Sequence, residues 1–197
     1  MVPITNLSGR LGNQMFQLAY LYSQVKEGNL PDIYLQDYTR FSKYENEIKQ
    51  LFGEGIGYLQ EVAIHLRRGK NPTLSTEPAY SDNPFYVDLS KTDYYEKAIA
   101  VFPENTVFMV FSDDIEFAKT YFTKERFNRK FLFSEGNDEV VDLNLMASCS
   151  SQIIANSSFS YWAGILNQNP AKKVVYPSRW FSDGINRVIF PDSWIKL

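Results

Sequence analysis

The stretch Val62-Ala63-Ile64-His65-Leu66-Arg67-Arg68-Gly69-Lys70 carries an apolar run into the chain's single histidine and two adjacent arginines before a glycine breaks it. Arginine presents a planar fork of donors matched to phosphate oxygens, so a pair of them at a strand end forms a candidate anion site. Two solvated arginines with carboxylate partners of their own are the plainer alternative. Open parallel sheets bind ligands beyond the carboxyl ends of their strands. The choice therefore rests on whether other polar residues converge on the same edge.

Several do. Ser112-Asp113-Asp114-Ile115-Glu116 follows the apolar run Val107 to Phe111. Asp113 as a helix N-cap, with Glu116 three residues on, matches a capping box, and the adjacent carboxylates are also a candidate pair for a divalent cation. Asn156-Ser157-Ser158-Phe159 follows Gln152 to Ala155 and opens a helix. It offers hydroxyls and unbonded amides to a phosphate, or serves as an ordinary cap. Arg67, Arg68, Ser112 and Ser157 then share one predicted edge, and one cleft is expected there. Asp142 interrupts the apolar helical run 140–146 and faces either that cleft or solvent.

Other chemistries lack their residues. Gly9-Arg10-Leu11-Gly12 has neither a preceding strand nor a following lysine, so it is no phosphate-cradling Walker loop, and no dinucleotide fingerprint occurs. His65 is the one histidine and no serine sits in a nucleophile elbow, which leaves a Ser-His-Asp hydrolase possible in inventory only. The single Cys149 excludes an intrachain disulfide and reads as a small buried side chain.

The elements that position these residues follow from periodicity. A glycine-punctuated turn leads into a helix from Asn13, with apolar positions at Met15, Leu18, Ala19 and Tyr22, and a second helix is predicted from Asp37 to Phe52. A boundary is placed near Gly57. Strands are predicted at Val62 to Leu66, Val107 to Phe111, near Phe131, Gln152 to Ala155 and Lys173 to Tyr176. Between them lie helices at Tyr94 to Phe102, Asp114 to Phe122, Val140 to Ala147 and Phe159 to Asn167. This alternation implies right-handed crossovers and a mostly parallel sheet covered on both faces. The proline-containing segment from Lys70 to Lys91 is expected to be an irregular functional loop.

At 197 residues and 44% hydrophobic content, the chain supports one ordinary core with a small appendage. A net charge of −3 provides no global positive field for nucleic acid or an anionic membrane, so anion binding must be local. Neither a basic, apolar leader nor a run approaching the roughly 20 apolar residues of a membrane span is present, and a cytoplasmic protein is expected.

Taken in order, six pieces resemble the α-1,2-fucosyltransferases of glycosyltransferase family 11. They are Gly9-Arg10-Leu11-Gly12-Asn13-Gln14-Met15-Phe16-Gln17, His65-Leu66-Arg67-Arg68-Gly69, Tyr94-Tyr95-Glu96-Lys97-Ala98-Ile99, Phe111-Ser112-Asp113-Asp114, Asp142-Leu143-Asn144-Leu145-Met146 and Asn156-Ser157-Ser158-Phe159-Ser160-Tyr161-Trp162. The resemblance implies an α/β, GT-B-like fold. A Rossmann-type nucleotide-sugar domain would occupy 58–197, and a reduced helical, acceptor-side portion 1–57. It further implies an inverting enzyme that moves fucose from GDP-fucose to a glycan hydroxyl, α-1,2 to galactose, with no metal or other cofactor. The partners would be GDP-fucose and an oligosaccharide or glycan acceptor, with no nucleic acid. A lipid-linked acceptor would place the protein at a membrane periphery.

Carried onto this sequence, the resemblance gives Arg68 the diphosphate, with Arg67 in support. His65 and Asp142 would lie near guanine and ribose, and Ser157, Ser158 and Phe159 would complete the nucleotide pocket. Fixed cations at a departing diphosphate lower the barrier because negative charge develops there. Inversion in one displacement also requires a proton acceptor on the opposite face of the sugar. Glu77 and Asp82 are candidates by placement, and Asn13 is a candidate for orienting donor or acceptor. The sequence departs from the family pattern at Lys70, usually aspartate, and at Tyr161, usually tryptophan. The segment between the first two helices is also much shorter than the family's. That shortening leaves open a noncatalytic or degenerate GDP-sugar-binding module.

Overall fold

Val62–Leu66 forms β1, and all five of its residues are buried, as expected for the centre of a sheet covered on both faces. The computed structural model describes residues 11–27, 41–52, 59–69, 78–185 and 187–197. Around β1 it arranges β2 (Val107–Ser112), β3 (Lys130–Phe133), β4 (Ser151–Ile153), β5 (Val174–Tyr176) and β6 (Ile195–Lys196). The order is β3-β2-β1-β4-β5-β6, with every strand pair parallel. This is the doubly wound, Rossmann-type arrangement, in which the chain reverses direction across the sheet beside β1.

Alternation along the strands sorts side chains onto two cores. Val62, Ile64 and Leu66 join Phe108, Val110 and Ile153 beneath α3 (Tyr94–Ala100) and α4 (Ile115–Tyr121). Ala63, Phe111 and Ile154 face the other way, toward α6 (Glu139–Ser148) and α7 (Ser158–Leu166). The two N-terminal helices, α1 (Leu11–Glu27) and α2 (Glu45–Phe52), lie on this second face. Phe16 of α1 packs 4.7 Å from the Tyr161 ring and 5.0 Å from Trp162, while Phe41 stacks on Trp162 at 5.4 Å. Each such side chain contributes about 1.5–3 kcal/mol of transfer free energy when fully buried. The described part of the N-terminal helical portion thus shares the core of the sheet.

The expected strands and helices appear within one to three residues of their predicted ends. The expected second helix is a 3-10 turn, Ser42–Tyr44, followed by α2, and its predicted first residues, like the boundary near Gly57, lie outside the described residues. Two short elements were not expected: α5 (Lys124–Phe127) and β6, which have four and two residues and so too little sequence for a period to show. The described part of the segment expected to be irregular contains 3-10 turns at Tyr80–Asp82 and Leu89–Lys91.

Paired register brings the strand ends level: His65 lies beside Phe111 and Leu66 beside Ser112. Buried tyrosine hydroxyls of α3 satisfy the carbonyls there. Tyr95 donates to the His65 carbonyl at 2.8 Å, and Tyr94 to the carbonyls of Ile154 at 2.7 Å and Val175 at 3.0 Å. Burial holds both phenols well above their ordinary pKa, so they act as neutral donors.

Candidate functional site

A cleft of about 920 Å³ runs along the carboxyl ends of the strands. Two smaller depressions, of about 420 and 470 Å³, include the opposite strand ends at Val62, Val107 and Lys130. Ligands of such sheets bind at the carboxyl edge, so the large cleft is the candidate site. It gathers His65, Arg67, Asn13, Asp142, Ser157, Ser158 and Phe159 from four separate stretches of chain.

The two arginines part company. Arg67 continues the alternation of Ala63 and His65 and enters the cleft, where its guanidinium pairs with the Asp113 carboxylate. It also donates to the Gly69 carbonyl at 3.0 Å and lies 4.9 Å from the Tyr80 ring centroid. Arg68, expected to grip the diphosphate, belongs to the opposite parity and turns away. Its Nη1 donates to Asp88 at 3.0 Å and Ser90 at 2.9 Å, and its guanidinium rests 3.7 Å over Phe117 of α4. Of these two arginines, the one that faces the cleft is therefore Arg67.

Asp113 explains how that turn is held. Its Oδ1 accepts from the backbone N–H groups of Arg68 and Gly69, both at 2.9 Å, while Oδ2 pairs with Arg67. Gly69 is needed here, since a Cβ at that position would fall 2.5 Å from the Asp113 carbonyl oxygen. The predicted N-cap thus shifts by one residue: Asp114 caps α4 by accepting from the Phe117 N–H at 3.3 Å. Among the described residues no group of three or more potential metal ligands forms.

At the β4 edge, Ser157 occupies the N-cap position of α7, yet its side chain makes no capping bond. Ser157, Ser158 and Phe159, where α7 begins with the backbone amides that a helix start leaves without intrahelical partners, line the cleft. Gly12 of α1 fits against this turn so closely that a Cβ would lie 2.5 Å from the Phe159 nitrogen and 2.7 Å from Ser158 Oγ. The starts of α1 and α7 therefore meet at the cleft. Phe159 tilts against the His65 ring at 5.5 Å.

Toward β3, Asp142 accepts at Oδ1 from Ser134 Oγ at 2.6 Å and Asn137 Nδ2 at 3.2 Å. That leaves Oδ2 directed to no partner among the described residues. Glu77 lies outside the described residues, and Asp82 is exposed and not part of the cleft lining.

The structure adds residues that sequence reasoning missed. Tyr80 stacks on Tyr86 at 4.2 Å and donates to the Asn156 carbonyl at 2.5 Å. Burial, with Tyr86 beside it, raises its pKa against the opposing pull of Arg67. Asn156, itself 2% exposed, donates through Nδ2 to the carbonyls of Val87 at 2.8 Å and Trp180 at 2.9 Å, tying three segments into the cleft floor. The only local signal for Asn156 was its place before the serine pair.

The family profile described as Glycosyl transferase family 11 matches residues 20–197. The chain belongs to glycosyl transferase family 11. Among curated proteins, it is similar to the O-antigen biosynthesis glycosyltransferase WbnK of Escherichia coli, at 30% identity over 88% of this chain and 62% of that protein. It is also similar to an alpha-1,2-colitosyltransferase of Escherichia coli, at 36% identity over 69% of this chain and 47% of that protein. The family 11 chain thus spans less than two thirds of either relative's length. Among its described residues, no helix is long and apolar enough to cross a membrane.

Proposed function

We propose that this family 11 chain binds a nucleoside-diphosphate sugar in the cleft and transfers the sugar to a glycan hydroxyl. The donor is GDP-fucose, the product bond is α-1,2 to galactose, and arginine takes the place of a metal. One observation carries the reading: Arg67, a buffered cation, shares the cleft with the amide-bearing start of α7. Both favour a diphosphate. Asp142, with one carboxylate oxygen unspent, suits the N–H edge of guanine at the β3 end. The relative named as transferring colitose in α-1,2 linkage supports the bond type.

In the transfer, the acceptor oxygen bonds to the anomeric carbon from the face opposite the diphosphate. The carbon–oxygen bond to GDP breaks with its electron pair leaving on GDP, and the acceptor proton passes to a base. Arg67 and the α7 amides stabilise the charge that grows on the leaving group. Ser157 and Ser158 bond its oxygens, His65 and Phe159 flank the nucleoside, and Asn13 orients donor or acceptor. Glu77 is the candidate base.

Titration calorimetry with GDP tests the site. Arg67→Ala weakens binding by about 2–5 kcal/mol, the cost of removing one partner of a buried charged contact. Arg68→Ala leaves the affinity nearly unchanged. Unaltered affinity in Arg67→Ala overturns the assignment, and a loss confined to Arg68→Ala returns the diphosphate to Arg68. The short span between α1 and α2 favours a second reading, a GDP-sugar-binding module without transfer. Incubation with GDP-fucose and a panel of galactosides separates them, because the module binds GDP and yields no fucosylated product.

A further inference from the structure

We infer that the β4–β5 end of the cleft is an acceptor-sugar subsite in which the ring of Phe85 stacks against a β-galactoside, a reading that rests on the donor assignment above. Phe85 is 47% exposed, although it lies in a cleft built largely of partly buried side chains. The ring is not a loose surface group. Its backbone N–H donates to Asn83 Oδ1 at 3.0 Å, and its carbonyl accepts from the Ser182 N–H at 3.0 Å. Its ring meets Tyr86 edge-on at 5.1 Å and leans on Phe181 at 5.0 Å. Tyr86 and Phe181 are themselves joined by an antiparallel bridge. An aromatic ring held by its neighbours and still 47% exposed is a preformed platform, and exposed apolar surface contiguous with a cleft marks a binding site.

The chemistry beside the ring selects a sugar. A pyranose has one face of C–H bonds, whose positive edge is drawn to the negative face of an aromatic ring. In a β-galactoside the axial hydroxyl leaves those hydrogens gathered on a single face. The hydroxyls around the rim then require planar donors and acceptors. Arg187 and Asp183 supply both: they pair at 2.6 Å, and the guanidinium lies 5.7 Å from the Phe85 centroid and 5.0 Å from Phe181. Asp142 assigns the nucleobase to the β3 end, so this end lies past the diphosphate, on the side from which an acceptor must approach. The ring comes from the sheet domain, so part of the acceptor site is present despite the short N-terminal portion.

Saturation-transfer NMR with methyl β-D-galactopyranoside and GDP-loaded protein tests this, with GDP affinity measured by calorimetry on the same samples. Wild type transfers saturation chiefly to the hydrogens of the galactoside's apolar face. Phe85→Ala weakens galactoside binding about tenfold, in line with an aromatic contact plus its buried area, and leaves GDP affinity unchanged. Phe85→Tyr retains both. An unchanged galactoside signal in Phe85→Ala, or none in GDP-loaded wild type, overturns the subsite. Loss of GDP affinity in Phe85→Ala also overturns it by moving the ring to the nucleotide. Wild type that binds no GDP defeats the donor reading instead.

Discussion

Two neighbouring guanidiniums with the same chemistry meet opposite fates because a strand's side chains alternate. Arg67 projects with His65 into the cleft, and Arg68 projects with Leu66 toward α4, where Asp88, Ser90 and Phe117 hold it. Parity was legible from the run Val62 to Leu66, but which face turned to the cleft was not. Cys149 shows the same dependence on surroundings. It is buried, its thiol donates to the Leu145 carbonyl at 3.4 Å, and burial pushes its pKa up to about 12 from an ordinary 9.0. The folded state therefore keeps a proton that the unfolded state releases, and stability from this source is complete below pH 9.0 and falls as pH rises toward about 12. Alkaline melts of wild type against Cys149→Ala check the sign: wild type loses stability faster over that window. An aromatic disulfide reagent should label Cys149 slowly when folded and fast in denaturant, and rapid labelling of the folded protein would contradict its burial.

At the scale of elements, the junction of α1 with α7 is a tight constraint on the site. Gly12 leaves no room for a methyl group against the backbone of Ser158 and Phe159. Gly12→Ala must part the two helix starts, costing about 1–3 kcal/mol by overpacking. A chain of this length then melts lower by several degrees, at about 2–4 °C per kcal/mol. Because the displaced atoms include amides of the proposed phosphate site, GDP affinity falls too, and thermal scans with and without GDP measure both effects. A full-strength ligand-induced shift in Gly12→Ala would separate the junction from binding. Glycine at this place was visible in Gly9-Arg10-Leu11-Gly12, but its reason was not, because the partner backbone lies about 150 residues away in sequence.

For the whole molecule, the two N-terminal helices and the sheet share one core, centred where Phe16, Phe41, Tyr161 and Trp162 meet. Phe16→Ala should cost about 3–5 kcal/mol, the range for removing a buried phenylalanine. Unfolding should stay a single transition when followed by both tryptophan fluorescence and far-ultraviolet dichroism. Two separated transitions would show that the N-terminal helices fold as a unit of their own. The sequence by itself determined the alternation of strands and helices, and hence a doubly wound parallel sheet with its polar residues at one edge. These features rest on periods of two and 3.6 residues that each segment carries locally. Only the tertiary structure decided which arginine faces the cleft, that Asp113 holds the turn and Asp114 the cap, and that Phe85 meets Phe181 beside Arg187. Those outcomes depend on which distant backbone packs against each residue, and local periodicity holds no record of it.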